Sequence, residues 1–137
     1  MKDHKNILLV EDDIVDAMTV KRALNDIKVT NTLNTVENGE EALAYLRSSG
    51  NEIPGIILLD LNMPKMNGIE FLKIVKNDNA LKKIPVIVLT TSQEEHDKIE
   101  SFNLGVAGFM IKPVDYLQFV ETMRTIDMYW TLSELPG

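Results

Sequence analysis

The chain has 137 residues, of which 45% are hydrophobic and 26% are charged, and it contains no cysteine. This length suits one ordinary domain, and the lack of cysteine excludes disulfides, zinc–thiolate sites and cysteine nucleophiles. The net charge of −7 excludes a basic surface for nucleic acid or anionic lipid, and no apolar stretch approaches the roughly 20 residues that cross a bilayer, so we expect a single cytoplasmic domain over residues 1–137.

Strand-like and helix-like segments alternate through the first half of the chain. Short apolar runs predict strands that are covered on both faces, and apolar residues at helical spacing predict the helices. On the first helix, this spacing assigns Ile14, Ala17, Met18 and Leu24 to the inner face. The predicted elements are a strand at 7–10, a helix from 13, a strand at 32–36, a helix from 39, a strand at 55–59 and a helix from 68.

The second half of the chain repeats this alternation. Strands are predicted at 86–89 and 107–111, each followed by a helix. A capping-box pattern from Ser92 to Glu95 predicts the start of the fourth helix, and Gly105 its end. Leu117, Val120 and Ile126 are predicted for the inner face of the fifth. Successive strand–helix units predict an α/β fold with a doubly wound, five-stranded parallel sheet of order 2-1-3-4-5, as in flavodoxin.

Polar side chains stand where four of the predicted strands end. Glu11 and Asp12 follow the first strand, Asp60 the third and Lys112 the fifth, and Thr90 ends the fourth. Because the carboxyl ends of parallel strands share one edge of a sheet, these side chains should meet in one cleft. Clustered carboxylates repel one another unless a cation lies among them, and both Lys112 and a divalent metal can fill that place. An all-oxygen site of this kind favours Mg²⁺.

Such a cleft suits phosphoryl transfer. An ionised carboxylate is already a nucleophile, so Asp60 can attack a phosphoryl group without a general base. The transition state spreads negative charge over the phosphoryl oxygens. The metal, the Lys112 ammonium and the Thr90 hydroxyl can each stabilise one of them. The sequence therefore predicts an aspartyl-phosphate on Asp60.

The segments that carry these residues resemble the motifs of a known family. They occur in the same order and at similar spacing as the motifs of the response-regulator receiver domain (CheY-like), across essentially the whole chain. The segments are 7–13 (ILLVEDD), 58–68 (LLDLNMPKMNG), 85–92 (PVIVLTTS) and 111–113 (IKP).

The resemblance implies a role for each acidic residue. Asp60 resembles the phosphoacceptor and also a metal ligand. Asp12 would bind Mg²⁺ directly, and Glu11 through a water molecule. Asn62 would bind the metal through its backbone carbonyl. Asp13, next to this pair, is interpreted as a first-turn acid that favours the helix dipole.

The resemblance also implies how the phosphoryl group would be held and sensed. Thr90 and Lys112 resemble the phosphoryl-binding pair, with a cis peptide bond between Lys112 and Pro113. Phe109 stands at the position of the aromatic switch, although a strand aromatic is equally explained as a core residue. Phosphorylation would then change the surface of the domain between the fourth strand and the fifth helix.

The implied function is that of a single-domain response regulator in a two-component phosphorelay. It would accept its phosphoryl group from a histidine kinase, promote only its own phosphorylation and dephosphorylation, and carry no output domain. The loops and tail are similar to those of receivers that serve bacterial phytochrome kinases. A C-terminal helical extension at about 127–137 either folds back over the fifth helix or forms, with the fifth helix, the surface of a homodimer.

Other functions are less compatible with these residues. A pseudo-receiver that acts only as an interaction module remains the alternative, but no acidic residue, Thr or Lys of the pattern is missing. A haloacid-type phosphatase would need a general acid two residues after Asp60, where Asn62 stands. A nucleotide-binding domain would need a glycine-rich loop after the first strand, and that loop is absent from the sequence.

Overall fold

The structure of the protein, a computed structural model, describes residues 5–133 as strands that alternate with helices. The elements are β1 (Ile7–Val10), α1 (Ile14–Asp26), β2 (Leu33–Val36), α2 (Gly39–Arg47), β3 (Ile56–Leu59), α3 (Gly68–Lys76), β4 (Val86–Thr90), α4 (Glu95–Asn103), β5 (Gly108–Ile111) and α5 (Tyr116–Leu132). All strand pairs are parallel, and the sheet order is β2-β1-β3-β4-β5. The predicted fold class and strand order are confirmed. Within residues 5–133, no helix has the length and apolar character needed to cross a bilayer.

The core lies on both faces of the sheet, as the uninterrupted apolar strands require. Alternate residues of β1, β3 and β4 point to opposite faces. One set packs with α2 and α3, where Leu43 and Phe71 are among the buried residues. The other set packs with α1 and α5, where Val20 and Met123 are buried. Each buried strand therefore supplies side chains to both core layers.

The helix α1 is rotated relative to the prediction. Its buried residues are Val20, Ala23 and Leu24, whereas Ile14 is 70% exposed and Met18 64% exposed. Placing Ile14 and Met18 on the inner face was therefore wrong. Ala17 packs partly against the core and Leu24 is buried, as predicted, but Ile14 and Met18 lie on the outer side of the helix.

The helix α5 combines a buried stripe with an exposed one. Val120 and Ile126 are buried as predicted, but Leu117 is 72% exposed, which contradicts the prediction for that residue. Residues 127–132 of the predicted extension do not fold back over α5 but continue it, and Trp130 in this part of the helix is fully buried. A Cβ atom on Gly55 would lie 2.6 Å from the Trp130 ring, so the backbone at Gly55 and the indole are in close contact. Residues 134–137 of the predicted extension lie outside the described residues.

The helix α4 begins later than predicted. Its N-cap is Glu94, which makes no capping bond through its side chain. The Ser92 hydroxyl instead donates a hydrogen bond to the Asp97 carboxylate at 2.7 Å. The predicted capping box from Ser92 to Glu95 is therefore wrong. Ser92 lies before the helix, and its side chain contacts Asp97 in the first turn.

The register of the sheet aligns the strand ends that matter for function. Val10 pairs with Leu59, and Leu59 with Val88. Backbone hydrogen bonds continue past the strands, from Asp60 N–H to the Val10 carbonyl at 3.0 Å. Another runs from Lys112 N–H to the Thr90 carbonyl at 2.8 Å. The polar residues that follow β1, β3 and β5 are thus fixed by the sheet itself at one edge.

Candidate functional site

Three carboxylates meet at the carboxyl edge of the sheet. Glu11, Asp12 and Asp60 each offer an oxygen atom, and these atoms lie within 4.8 Å of one another. Glu11 is only 3% exposed and Asp60 only 6%, whereas Asp12 faces solvent. The structure thus brings together the three acidic residues that the sequence analysis assigned to one cleft.

The Asp60 carboxylate is held by donors from its own loop and from β4. The buried Thr90 hydroxyl donates a hydrogen bond to Asp60 Oδ1 at 2.8 Å. The Asn62 backbone N–H approaches the same oxygen at 3.4 Å. Thr90 Oγ1 also accepts from the Ser92 backbone N–H at 3.2 Å, which orients the hydroxyl toward Asp60. These contacts fix the rotamer of Asp60 at the rim of the sheet.

The loop after β3 returns tightly to Asp60. Asn67 and Glu70 form a reciprocal capping box that starts α3. The Gly68 N–H donates to the Leu61 carbonyl at 3.0 Å. A Cβ atom on Gly68 would lie 2.7 Å from the Asp60 carbonyl oxygen, so only glycine fits this approach. The turn that the sequence marks with Asn67 and Gly68 therefore closes directly against the backbone of Asp60.

Lys112 enters the acidic cluster from β5. Its ammonium donates a short hydrogen bond to Glu11 and a second one to Asp16 Oδ2 at 3.0 Å. The Lys112 side chain is only 7% exposed, compared with 41% for Asp16. Asp16 lies in the first turn of α1, and the sequence analysis did not include it in the site. Its position in that turn was the sole signal in the sequence.

The burial of this cluster shifts the pKa values of its members. Burial, reinforced by the nearby charge of Asp60, raises the pKa of the Glu11 carboxyl to about 7, and the hydrogen bond from Lys112 opposes this rise. Burial acts to lower the pKa of Lys112, but the hydrogen bond to Glu11 and the surrounding negative charges outweigh it and raise that pKa. Lys112 therefore stays protonated, and the protonated form of Glu11 is more favoured than that of an exposed carboxyl.

The Lys112–Pro113 peptide bond is trans, because the described residues contain no cis peptide bond. The cis bond expected from the family resemblance is wrong here. The trans isomer is the intrinsically favoured form of a peptide bond that precedes proline.

Phe109 lies on β5, which is only half-buried over most of its length. Its ring packs partly against the core, and its centroid lies 6.5 Å from that of Phe102 on α4. One side of the ring lines a groove with Ile111 and Lys98. Phe109 is thus neither fully buried nor free. The role as a switch stays a prediction.

An open cleft of about 460 Å³ lies beside the exposed Asp12. Asp12 and Asn62 line it on the side of the cluster, and Met63, Pro64 and Asp97 line the rest. A phosphorylated donor can therefore approach from solvent on the side where Asp12 is exposed.

The donor set fits a small, hard divalent cation. Carboxylate oxygens are the ligands that Mg²⁺ and Mn²⁺ prefer, and exposure of Asp12 leaves room for metal-bound water. Cysteine and histidine ligands are absent from the cluster of Glu11, Asp12 and Asp60. The cation of the protein itself, Lys112, approaches the cluster from the other side through Glu11. The arrangement can therefore place a nucleophilic carboxylate between two positive charges.

Comparison with known proteins identifies relatives of the chain. The sequence profile of the family described as "Response regulator receiver domain" matches residues 7–124. The response regulator Rcp1 of Synechocystis sp. is 36% identical, over 95% of this chain and 94% of the relative. The structure of the phosphorylated cyanobacterial phytochrome response regulator RcpA superimposes with a TM-score of 0.91 at 39% identity, over 98% of this chain and 99% of the other. The Mn²⁺-bound form of Rcp1 superimposes with a TM-score of 0.89 at 36% identity, over 97% and 99%.

Proposed function

The chain belongs to the response regulator receiver domain family, and from that premise we propose that Asp60 is its phosphoacceptor. The observation that carries this proposal is the arrangement of Asp60. Its carboxylate accepts a hydrogen bond from Thr90 and lies with Glu11 and Asp12 in one oxygen cluster. Lys112 joins the same cluster through Glu11. The chain would act as a signalling phosphoacceptor that promotes only its own phosphorylation and dephosphorylation.

The proposed step is a direct transfer from a phosphohistidine. An oxygen of the Asp60 carboxylate forms a bond to phosphorus while the N–P bond of the donor breaks, and the released imidazole nitrogen takes a proton from water. The Thr90 hydroxyl would turn from the carboxylate to a phosphoryl oxygen. One N–H of the Lys112 ammonium would donate a hydrogen bond to a second phosphoryl oxygen.

We propose that Glu11, Asp12, Asp60 and the backbone carbonyl of Asn62 hold Mg²⁺. When bound, the metal neutralises charge on the phosphoryl oxygens. Asp12 is the exposed ligand, whereas Glu11 is shared with Lys112. The Mn²⁺-bound form of Rcp1 supports a divalent cation in a protein of this fold.

Mg²⁺ affinity is predicted to rise with pH. The metal requires the ionised form of Glu11, and burial raises the pKa of this carboxyl to about 7. We therefore expect binding to be about tenfold weaker at about pH 6 than at about pH 8, measured by isothermal titration calorimetry. Without metal, the stability of the protein should depend on pH in the opposite direction, because the folded state binds the proton of Glu11 more tightly than the unfolded chain does. The free energy of unfolding should fall as pH rises from 4.5 to about 7.

Two variants separate Glu11 from other groups that titrate in this range. A Glu11→Gln variant should bind Mg²⁺ more weakly and lose the pH dependence. A His96→Gln variant should keep it, because the His96 contacts are with Glu94, Asp97 and Glu100 and not with this cluster. Equal affinity of the unchanged protein at both pH values would contradict the assignment of Glu11.

We propose that the phosphoryl donor is a histidine kinase of the phytochrome type. The similarity to RcpA and Rcp1 supports this class of partner. The test uses a phytochrome kinase that has been autophosphorylated with radiolabelled ATP. Label should pass to the unchanged protein and not to Asp60→Asn. If every phytochrome kinase tried retained its label while acetyl phosphate still modified Asp60, only the proposed class of kinase would be refuted.

A homodimer through α5 is a further part of this proposal. The outward stripe of the helix supports it, because Met128 is 60% exposed and Leu132 77% exposed beside the buried Trp130. Sedimentation of the full chain and of a variant with Met128→Glu and Leu132→Glu tests this surface. A monomer in both cases, with and without phosphorylation, would exclude it.

The alternative of a non-phosphorylated interaction module is disfavoured. Glu11 and Asp12 lie close to Asp60, and Thr90 already donates to it. The output would still pass through the surface of the domain. A move of Thr90 toward the phosphoryl group, followed by inward rotation of Phe109, would remodel the face between β4 and α5. The cytoplasmic location stays a prediction.

A further inference from the structure

Asp16 contacts Lys112 but does not belong to the acidic cluster of Glu11, Asp12 and Asp60. The oxygen atoms of Glu11, Asp12 and Asp60 form the group that fits a metal, and Asp16 is not among them. Yet Asp16 Oδ2 lies 3.0 Å from the Lys112 ammonium, on the side facing α1. The Asp13 side chain caps this turn by accepting from the Asp16 N–H at 3.0 Å, so the place of Asp16 is set by the start of the helix.

We propose that Asp16 is a positioning residue that holds the Lys112 ammonium for the phosphoryl group. This inference rests on the proposed function of Asp60. An ammonium has three N–H donors. Glu11 and Asp16 take two of them from different sides, which leaves the third for an incoming oxygen.

Asp16 differs from Glu11 in what happens when a metal binds. A bound cation would share the negative charge of Glu11 with Lys112, and this would weaken the bond from Lys112 to Glu11. Asp16 lies outside the metal group and keeps its bond to Lys112. The flexible four-carbon stem of a lysine otherwise permits many positions of its charge. Asp16 therefore restricts the position of the Lys112 ammonium in the metal-bound state, in which Glu11 would hold it least.

A purely structural role for Asp16 predicts different results. An acidic residue in the first turn of a helix stabilises the positive end of the helix dipole. Its removal would lower the stability of the protein and leave the rate of phosphoryl transfer unchanged. The rate and the stability therefore have to be measured on the same variants.

The experiment compares Asp16→Asn, Asp16→Glu and, as a matched control, Asp13→Asn. Asp13→Asn removes the same charge from the same helical turn, keeps a good N-cap and does not involve a side-chain contact with Lys112. At saturating Mg²⁺ and acetyl phosphate, Asp16→Asn should phosphorylate roughly three- to tenfold more slowly than the control, which is the range for a half-exposed charged hydrogen bond. The Mg²⁺ affinities of the two variants should agree within about twofold, because both lose one charge at similar range. Asp16→Glu should recover most of the rate.

Three results would overturn the inference. Equal rates for Asp16→Asn and Asp13→Asn would leave Asp16 with a structural role only. A Mg²⁺ affinity of Asp16→Asn far below that of Asp13→Asn would assign the effect of Asp16 to the metal instead of Lys112. If the unchanged protein takes up no phosphoryl group at all, the proposed function fails and this inference fails with it. In the first two cases the proposed function stands.

Discussion

A Lys112→Ala variant is expected to accept a phosphoryl group on Asp60 about 10²–10³-fold more slowly than the unchanged protein. Lys112 is the lysine that the structure places against this cluster, and it is only 7% exposed there. Its removal takes away one of the cations that stabilise the negative charge of the transition state. It also leaves the buried Glu11 without its ion-pair partner. The measurement is the rate of the mass increase with acetyl phosphate at saturating Mg²⁺.

The control for this prediction is Lys83→Ala. Lys83 is exposed and precedes β4, at the opposite edge of the sheet, so its removal changes the net charge equally and leaves the site alone. Circular dichroism should show both variants folded. If folded Lys112→Ala reacted within about twofold of Lys83→Ala, the catalytic role of Lys112 would be refuted.

Truncation of Trp130 is the change in the core expected to cost the most stability. Trp130 is fully buried against the second core layer, between α5 and the sheet. Its indole N–H has no hydrogen-bond partner among the described residues, so the loss is one of apolar contact and cavity formation. We expect Trp130→Ala to lower the free energy of unfolding by about 3–5 kcal/mol, measured by urea denaturation followed by circular dichroism.

Two variants make this stability prediction specific. Leu117→Ala lies on the same helix but is 72% exposed, and it should change the free energy of unfolding by no more than about 0.5 kcal/mol. Trp130→Phe keeps part of the buried ring and should fall between the two. A loss below about 1 kcal/mol for Trp130→Ala would mean that α5 is not packed on the sheet beyond Ile126.

The meeting of polar residues at the carboxyl edge of the sheet was predictable, because it depends on the backbone register of the strands. Uninterrupted apolar runs mark buried parallel strands, and the first polar residue after each run has to stand at the rim. Asp60 follows β3 directly, and its N–H continues the ladder to Val10. The convergence of Asp60 with Glu11 and Thr90 therefore follows from the pattern of the strands alone.

Contacts made by helices were less predictable because they depend on rotation about the helix axis. The apolar residues Ile14 and Met18 favoured an inner face that the structure leaves exposed. The same rotation directs Asp16 toward Lys112, and that contact has no sequence signal beyond a first-turn acid. At α4, the helix begins after Glu94 instead of Ser92, and the Ser92 hydroxyl donates to Asp97 instead of capping the helix start.

The central claim is that Asp60 forms an aspartyl-phosphate, and intact mass spectrometry tests it most directly. After incubation with Mg²⁺ and acetyl phosphate, the unchanged chain should gain about 80 Da, and the Asp60→Asn variant should gain nothing. Chelation of the metal should prevent the gain. Absence of the adduct from the folded protein, or its persistence in Asp60→Asn, would contradict the account.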